Sequence, residues 1–351
     1  MPVDNAHQHS STADVTVVAS AAHGLGEFIA LQGGDPDSVF GNAGLNPELL
    51  ADPTLRLPLT GFCGAFEEGS RQTRNDNFGL DFGRQFKPAN IGLLGYIALS
   101  SPTLGDAFCA MSRLFAGHQQ NTLMRLCDEG SVCRLEYQIL HCAIAHKRQD
   151  AEMTLAAFTN LARHALGSRW APEQVLFEHQ RPEGWHKHSK FFDAPVLYGQ
   201  TRNAMIFKRS CLERPMPDKD ALLLQLLSAT IQRNMPTIES KASLVDSVRR
   251  EIQQALDHQD LNLKLIAGRL NLTSWTLQRR LNDLNMTFTS LVDDVRWNIA
   301  CNKLAQSSLP ISELAVQLGF SEVSAFSRAF SRTHGMSPRQ WRQSRPAWSP
   351  L

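Results

Sequence analysis

From Ser243 onward the apolar residues recur only at helical spacing. Leu244, Val248, Ile252, Ala255 and Leu256 share one face of a first helix. The pattern then repeats. Leu263, Ile266, Ala267, Leu270 and Leu272 return 48 residues later as Ile311, Leu314, Ala315, Leu318 and Phe320. After a one-residue slip, Leu277, Arg279 and Leu281 return 49 residues later as Phe326, Arg328 and Phe330. Each copy predicts a short helix, a tight turn and a second helix. The alanine lets the two helices cross closely, the apolar residue past the turn fills the corner, and the next two apolar residues seat the second helix. Between the copies, Thr289 to about Gln306 reads as one helix, about 27 Å long at 1.5 Å per residue.

The earlier part of the chain alternates between periods. Residues 1–20 are polar and rich in His, Ser and Thr, and are expected to be disordered. Val39 to Phe86 is rich in Gly, Pro and Asn, with short helical runs at Pro47 to Asp52 and Phe62 to Arg71. Ser101-Pro102 reads as a helix cap followed by a first-turn proline, and Leu104, Phe108, Met111 and Phe115 form the apolar face behind it. Asn121 to Cys127 and Val132 to Leu140 flank Asp128-Glu129-Gly130 as a hairpin. A helix is expected over Ala151 to Leu166, and strands at Gln174 to Glu178, Val196 to Tyr198 and Ala204 to Phe207. Pro215, Pro217 and Pro236 punctuate the exit around a short helix, Ala221 to Ile231. The fold class is thus two domains: an α+β domain over 21–215, a linker over 216–242, and an all-α domain over 243–345 whose two helix-turn-helix units are joined by a linker helix.

Length agrees, since 351 residues exceed what one core usually holds. Charge adds an asymmetry that the net value of +1 conceals. From Lys241 onward there are 14 basic against 9 acidic residues, and before it 21 against 25. A basic end on an acidic body suggests that one domain meets a polyanion. No stretch approaches the ~20 apolar residues of a membrane helix, so no membrane association is expected. The opening residues lack the basic and apolar regions of an export signal, which places the chain in the cytoplasm. Cys63, Cys109, Cys127, Cys133, Cys142, Cys211 and Cys301 are scattered singly. They read as reduced, buried thiols, with Cys127 and Cys133 able to face each other across the hairpin.

The stretch Leu265 to Arg342 resembles the DNA-binding domain of the AraC/XylS family of bacterial regulators. The second unit carries most of the likeness: Ile311-Ser312-Glu313-Leu314-Ala315, Leu318-Gly319-Phe320-Ser321, Ala325-Phe326-Ser327-Arg328-Ala329-Phe330, Gly335-Met336-Ser337-Pro338 and Trp341-Arg342. Gly319 is expected at a positive φ in the turn, Gly335 at the end of the second helix, and Ser337-Pro338 at the start of a last short helix. Gly41-Asn42-Ala43-Gly44-Leu45, Leu93-Leu94-Gly95-Tyr96 and Ser100 to Ala107 are similar to the arabinose-binding-like sensor of a subgroup that includes ornithine-utilisation and virulence regulators. The resemblance implies a transcriptional regulator, more commonly an activator. Its partners would be double-stranded promoter DNA, RNA polymerase, a small-molecule effector of unknown identity and a second copy of itself. The alternative is a ligand-independent regulator whose N-terminal domain serves only protein interaction.

The first recognition helix should start at Thr273 or Ser274, either of which can cap it. Leu277 and Leu281 then face inward, leaving Trp275, Thr276, Gln278, Arg279 and Arg280 outward. The resemblance makes Trp275, Gln278 and Arg279 the base- and phosphate-facing positions. The chemistry agrees, because Gln pairs with adenine, Arg with guanine, and an aromatic edge meets a thymine methyl. Trp275 could instead be a packed or partner-facing aromatic, and Gln278 and Arg279 could lie on a solvated face. In the second unit Val323, Ser324, Ser327 and Arg328 face the groove and suit phosphate contacts and shape readout better than base pairing. Arg328 could instead pair with Glu322 or Glu313, while Arg339, Arg342 and Arg345 are phosphate contacts or surface charge. No cofactor and no enzymatic activity are expected. His186-x-His188 with His179, and His7 with His9, lack a completing ligand at a metal-binding spacing. There is no nucleophile elbow, and Gly24-x-Gly26 is too short for a dinucleotide fingerprint.

Overall fold

The computed structural model describes residues 15–141, 144, 146–234, 242–257, 261–284, 286–306 and 309–343. Residues 1–14, with His7 and His9, and also Cys142, Pro236 and Arg345 lie outside the described residues. The expectation of disorder up to residue 20 fails for 15–20. There the β-branched run Thr16-Val17-Val18 forms β1 (Thr16–Val18), antiparallel to β2 (Arg56–Pro58), with Val17 fully buried against Leu57. Arg56 fastens the strand, its Nε donating to Thr16 Oγ1 at 2.5 Å and its Nη1 to Gly117 O at 2.8 Å.

Six helices follow or interleave: α1 (Leu25–Leu31), α2 (Pro36–Asn42), α3 (Leu59–Thr73), α4 (Phe78–Gln85), α5 (Leu93–Ser100) and α6 (Leu104–His118). The run Pro47 to Asp52 is a 3-10 turn over Pro47–Leu50, and the run Phe62 to Arg71 lies inside α3. The cap of α6 is Thr103, not Ser101. Thr103 Oγ1 accepts the Asp106 N–H at 3.1 Å and donates to Asp106 Oδ2 at 2.8 Å. Pro102 bars Ser101 from helical angles. Ser101 therefore stays extended and closes α5, its hydroxyl donating to Ile97 O at 2.8 Å. Leu104, Phe108, Met111 and Phe115 are buried as the spacing predicts.

The main sheet is built from β3 (Thr122–Asp128), β4 (Val132–Ile139), β5 (Gln174–Leu176), β6 (Val196–Leu197) and β7 (Asn203–Lys208), in the order β3-β4-β7-β5-β6. Only β5 and β6 run parallel. The hairpin closes at Asp128, whose Oδ1 accepts the Gly130 N–H at 3.0 Å. Its register pairs Cys127 with Arg134 and Cys133 with Asp128, so the two cysteines are offset, and both are free thiols. Two further helices, α7 (Arg148–Leu166) and α8 (His186–Phe192), complete the layer around one core. α7 crosses α4 so closely that a Cβ on Gly79 would lie 2.0 Å from Gln149 O. α9 (Ala221–Asn234) packs along α5 and leaves Leu222 66% and Leu226 57% exposed.

The rest is helical, as its period requires: α10 (Ala242–Asp257), α11 (Leu263–Arg269), α12 (Ser274–Asn282), α13 (Phe288–Gln306), α14 (Ile311–Gln317), α15 (Val323–His334) and α16 (Pro338–Gln343). These helices form two cores. One joins Val248 and Ile252 of α10, Ile266 and Ala267 of α11, Leu277 and Leu281 of α12, and Leu291 and Val295 of α13. The other joins Trp297, Ala300 and Leu304, farther along α13, to Leu314, Ala315, Phe326 and Phe330.

Candidate nucleic-acid interface

The internal repeat is reproduced bond for bond. In the first pair the Leu272 N–H donates to Ala267 O at 2.8 Å, and 48 residues on the Phe320 N–H donates to Ala315 O at 2.9 Å. Asn271 donates to Gly268 O and, in the second pair, Gly319 to Val316 O. Asn271 and Gly319 hold the same left-handed turn position, at φ +54° and +78°. Asn and Gly are the residues that tolerate it most readily. The one-residue slip falls just after this position. Thr273 caps α12, its Oγ1 accepting the Thr276 N–H at 3.1 Å, while Glu322 precedes α15 without a side-chain cap. Gly335 ends α15 at φ +72°. Ser337 opens α16 with a reciprocal pair of bonds to Gln340, 2.9 and 3.2 Å long.

On α12, burial of Leu277 and Leu281 turns the opposite face to solvent. Trp275 is 64% exposed, and Gln278, Arg279 and Arg280 are exposed. The Arg279 guanidinium lies 4.7 Å over the Trp275 ring, so these two side chains form one stacked unit. Thr276 is half-buried, its hydroxyl 2.8 Å from Thr273 Oγ1 and engaged in the cap. On α15, burial of Phe326 and Phe330 turns out Val323, Ser324 and Arg328, with Ser327 half-buried. Ser324 donates to Glu322 Oε2 at 3.0 Å. Arg328 is exposed. Arg342 is half-buried, and its Nη2 donates to Leu309 O at 2.6 Å, which holds the approach to α14. Arg339 is exposed.

Both exposed helix faces are mounted on one rod. α12 packs on the first half of α13 and α15 on the second, and 19 residues make α13 about 28 Å long. Successive major grooves on one face of B-DNA lie about 34–36 Å apart.

The N-terminal domain holds a different chemistry, a set of buried charges that no local sequence pattern signals. Glu152 and His188 are wholly buried, and His188 Nε2 lies 3.2 Å from Glu152 Oε2. His179 Nε2 lies 3.4 Å and Arg148 Nη1 3.3 Å from Glu152 Oε1. Burial by itself would raise the Glu152 carboxyl, but the neighbouring His188, with Arg148 and His179, holds it below its ordinary range. Burial brings His179 down to about 4, as it does His118. His186 stacks on Trp185 instead, with ring centroids 3.7 Å apart. Among the described residues no group of three His, Cys, Asp or Glu is arranged to hold a metal ion. A second buried set runs from Gln119 through Tyr137, whose hydroxyl donates to Asp150 Oδ2 at 2.7 Å. Burial outweighs that bond and lifts the Asp150 carboxyl to about 7.

Residues 33–216, just over half of the chain, match the family described as the arabinose-binding domain of AraC transcription regulators, and residues 266–344 match a helix-turn-helix domain. The ornithine utilization regulator of Pseudomonas aeruginosa is 27% identical over 335 residues, spanning 95% of this chain and 97% of that protein. The transcriptional regulator VirS of Mycobacterium tuberculosis is 24% identical over 312 residues, spanning 88% and 91%. The crystal structure of the transcriptional regulator CdpR from Pseudomonas aeruginosa covers 92% of this chain and 98% of its own, at 19% identity and a TM-score of 0.45. The chain belongs to the AraC family of DNA-binding transcription regulators, in the group that joins an arabinose-binding-type N-terminal domain to a C-terminal helix-turn-helix domain.

Proposed function

We propose that this chain is a sequence-specific activator that reads promoter DNA through two tandem helix-turn-helix units, α11–α12 and α14–α15, under the control of a small-molecule effector bound by its N-terminal domain. The observation that carries the reading is the matched pair of turns at Asn271 and Gly319, each followed by a helix with one buried apolar face and one exposed polar face. Trp275, Gln278, Arg279 and Arg280 are its base- and phosphate-contacting residues in the first unit, with Thr276 supporting their helix start. Val323, Ser324, Ser327 and Arg328 contact the backbone in the second. The basic balance of the C-terminal part favours a polyanion. Activation would proceed through contact with RNA polymerase, as the family resemblance implies. Such a regulator works in the cytoplasm, on the nucleoid. Among the described residues no helix is long and apolar enough to cross a membrane.

The test is selection of bound duplexes from a random library by the full-length chain. The reading expects one strongly preferred block, read by the first unit, and backbone protection centred about 10–10.5 base pairs away, from the second. Recovery of no preferred sequence, or a footprint confined to the one block, would contradict it.

A second reading, regulation by self-association without a ligand, is favoured by the exposed Leu222 and Leu226 of α9 and Leu93 and Tyr96 of α5. A thermal-shift screen separates the two, because a ligand that binds only the folded state adds RT ln(1+[L]/Kd). Ornithine and related amino acids and amines come first in that panel, given the relative that regulates ornithine utilization. A concentration-dependent shift supports the effector reading, and a flat panel with concentration-dependent dimerisation supports the second.

A further inference from the structure

α10 faces two ways. Val248, Ile252 and Ala255 are buried in the core of the first helix-turn-helix pair. One helical turn apart on another face, Arg249 and Gln253 reach out to the N-terminal domain. Arg249 Nη1 donates to Asn121 Oδ1 at 3.3 Å, and Gln253 Nε2 donates to Gln138 Oε1 at 3.0 Å. Asn121 and Gln138 are neighbours at the open end of the β3–β4 hairpin, where Gln138 pairs with Leu123 and the Leu140 N–H donates to Asn121 O.

Each contact continues inward. On the sensor side Gln138 Nε2 donates to Glu178 Oε1 at 2.5 Å, and Asn203 Nδ2 donates to Glu178 Oε2 at 3.0 Å. Glu178 and Asn203 are buried, so the Gln138 amide has both ends committed: its nitrogen to the interior acid, its oxygen to α10. On the DNA-binding side Arg249 Nη2 donates to Asp294 Oδ2 at 3.2 Å. Asp294 lies on α13, the rod that carries both reading helices. The cleft at this joint, between Arg113, Phe115, Met124 and Arg249, has a volume of about 30 Å³. That is room for a water-sized group and not for a metabolite, so the joint is a contact rather than a ligand site.

We infer that Arg249 and Gln253 form a latch that couples the buried Glu178–Gln138–Asn203 cluster of the sensor to α13, so that a rearrangement of the cluster is felt at the reading helices. This rests on the reading of the chain as a DNA-binding regulator. A shift of Gln138 cannot satisfy Glu178 and Gln253 in two places at once, and releasing Gln253 removes one of the two side-chain hydrogen bonds that tie α10 to the sensor among the described residues.

The test compares full-length wild type with the Asn121→Gly/Gln253→Ala double variant. Glycine keeps the left-handed backbone of Asn121, at φ +47°, and the Arg249–Asp294 pair is left in place. Hydrogen exchange should quicken in α10 and around residues 121–123 and 138–140. Affinity for a duplex selected by the wild-type chain should fall about three- to tenfold, the range that one or two partly exposed hydrogen bonds transmit. Unchanged exchange overturns the latch. Faster exchange with unchanged DNA affinity also overturns it, because the contact would then hold the domains together without informing the DNA-binding face. Arg279→Ala serves as the control that should weaken DNA binding while leaving exchange in α10 unaltered. Should the wild-type chain select no duplex, the DNA-binding reading fails, and the exchange arm still decides whether the contact exists.

Discussion

Phe330→Ala should open the second helix-turn-helix unit while leaving the first folded. The Phe330 side chain is fully buried, and its ring centroid lies 4.5 Å from that of His334, 5.7 Å from Trp341, 5.8 Å from Phe326 and 6.0 Å from Trp297. Truncating such a phenylalanine removes about 3–5 kcal/mol, transfer and cavity terms together. A domain of this size is stable by only about 5–15 kcal/mol in total, and among the described residues the core around Phe330 is the smaller of the two in the C-terminal domain. The loss falls on one side because the two cores meet chiefly through α13, where Ile299 touches both. Hydrogen exchange read by mass spectrometry should show lost protection in α14, α15, α16 and the second half of α13, with α10 to α12 retained. DNA binding should weaken but keep the base preference of the first unit. Equal loss of protection in both units would refute the reasoning, since it would mean a single cooperative core. Undiminished protection of α15 would refute the packing argument itself.

Other outcomes follow from single features. Gly319→Ala should lower stability by about 1–2 kcal/mol, because Gly319 sits at φ +78°, whereas Asn271→Gly at the matching turn should change it by a few tenths; thermal melts of the two variants decide. His118 is held to about 4 from an ordinary 6.5, by burial first and by Arg56 second. Its folded form therefore resists a proton that the unfolded chain accepts, so its contribution is complete above pH 6.5 and is lost as pH falls toward 4. Compared with His118→Gln, the wild type should lose about 3 kcal/mol more between pH 7 and pH 4 in denaturant titrations, and parallel curves would exclude this role. Thr273→Ala removes the bond to the Thr276 N–H and should cost about 0.5–2 kcal/mol, read as a lower melting temperature and weaker DNA binding.

The C-terminal domain was legible in the sequence because its information is local. Helical period, the alanine at each crossing and glycine at the turn all act within a dozen residues, and Gly319, Gly335 and the Ser337-Pro338 start lie where those rules place them. Even there Asn271 was missed as the left-handed partner of Gly319, although the 48-residue offset points to it. The cap of α6 was misplaced because Ser101-Pro102 competes with Thr103. The deciding signal was Asp106, three residues after Thr103, which completes the reciprocal cap. The β3–β4 hairpin was readable from its alternation and turn, but the sheet order beyond it was not. β7 inserts between β4 and β5 through contacts between residues 28 to 76 positions apart. Buried charges are harder still. Glu152 is held by His179 and His188 from distant segments, and nothing in the local pattern distinguishes them from surface residues. The exposed face of α12 was legible as the complement of the buried one: once Leu277 and Leu281 are inside, Trp275, Gln278 and Arg279 must be outside.

The central claim is that the chain reads two successive grooves and discriminates bases chiefly through the first unit. It is tested most directly by measuring base preference at every position of a selected duplex for wild type, Arg279→Ala and Arg328→Ala. The account predicts that Arg279→Ala weakens binding by about 1–3 kcal/mol and flattens preference at a position in one block only. Arg328→Ala should weaken binding to all sequences alike and reduce its salt dependence by about one phosphate contact. Unchanged affinity and preference for Arg279→Ala, or loss of preference confined to the Arg328→Ala variant, would contradict it.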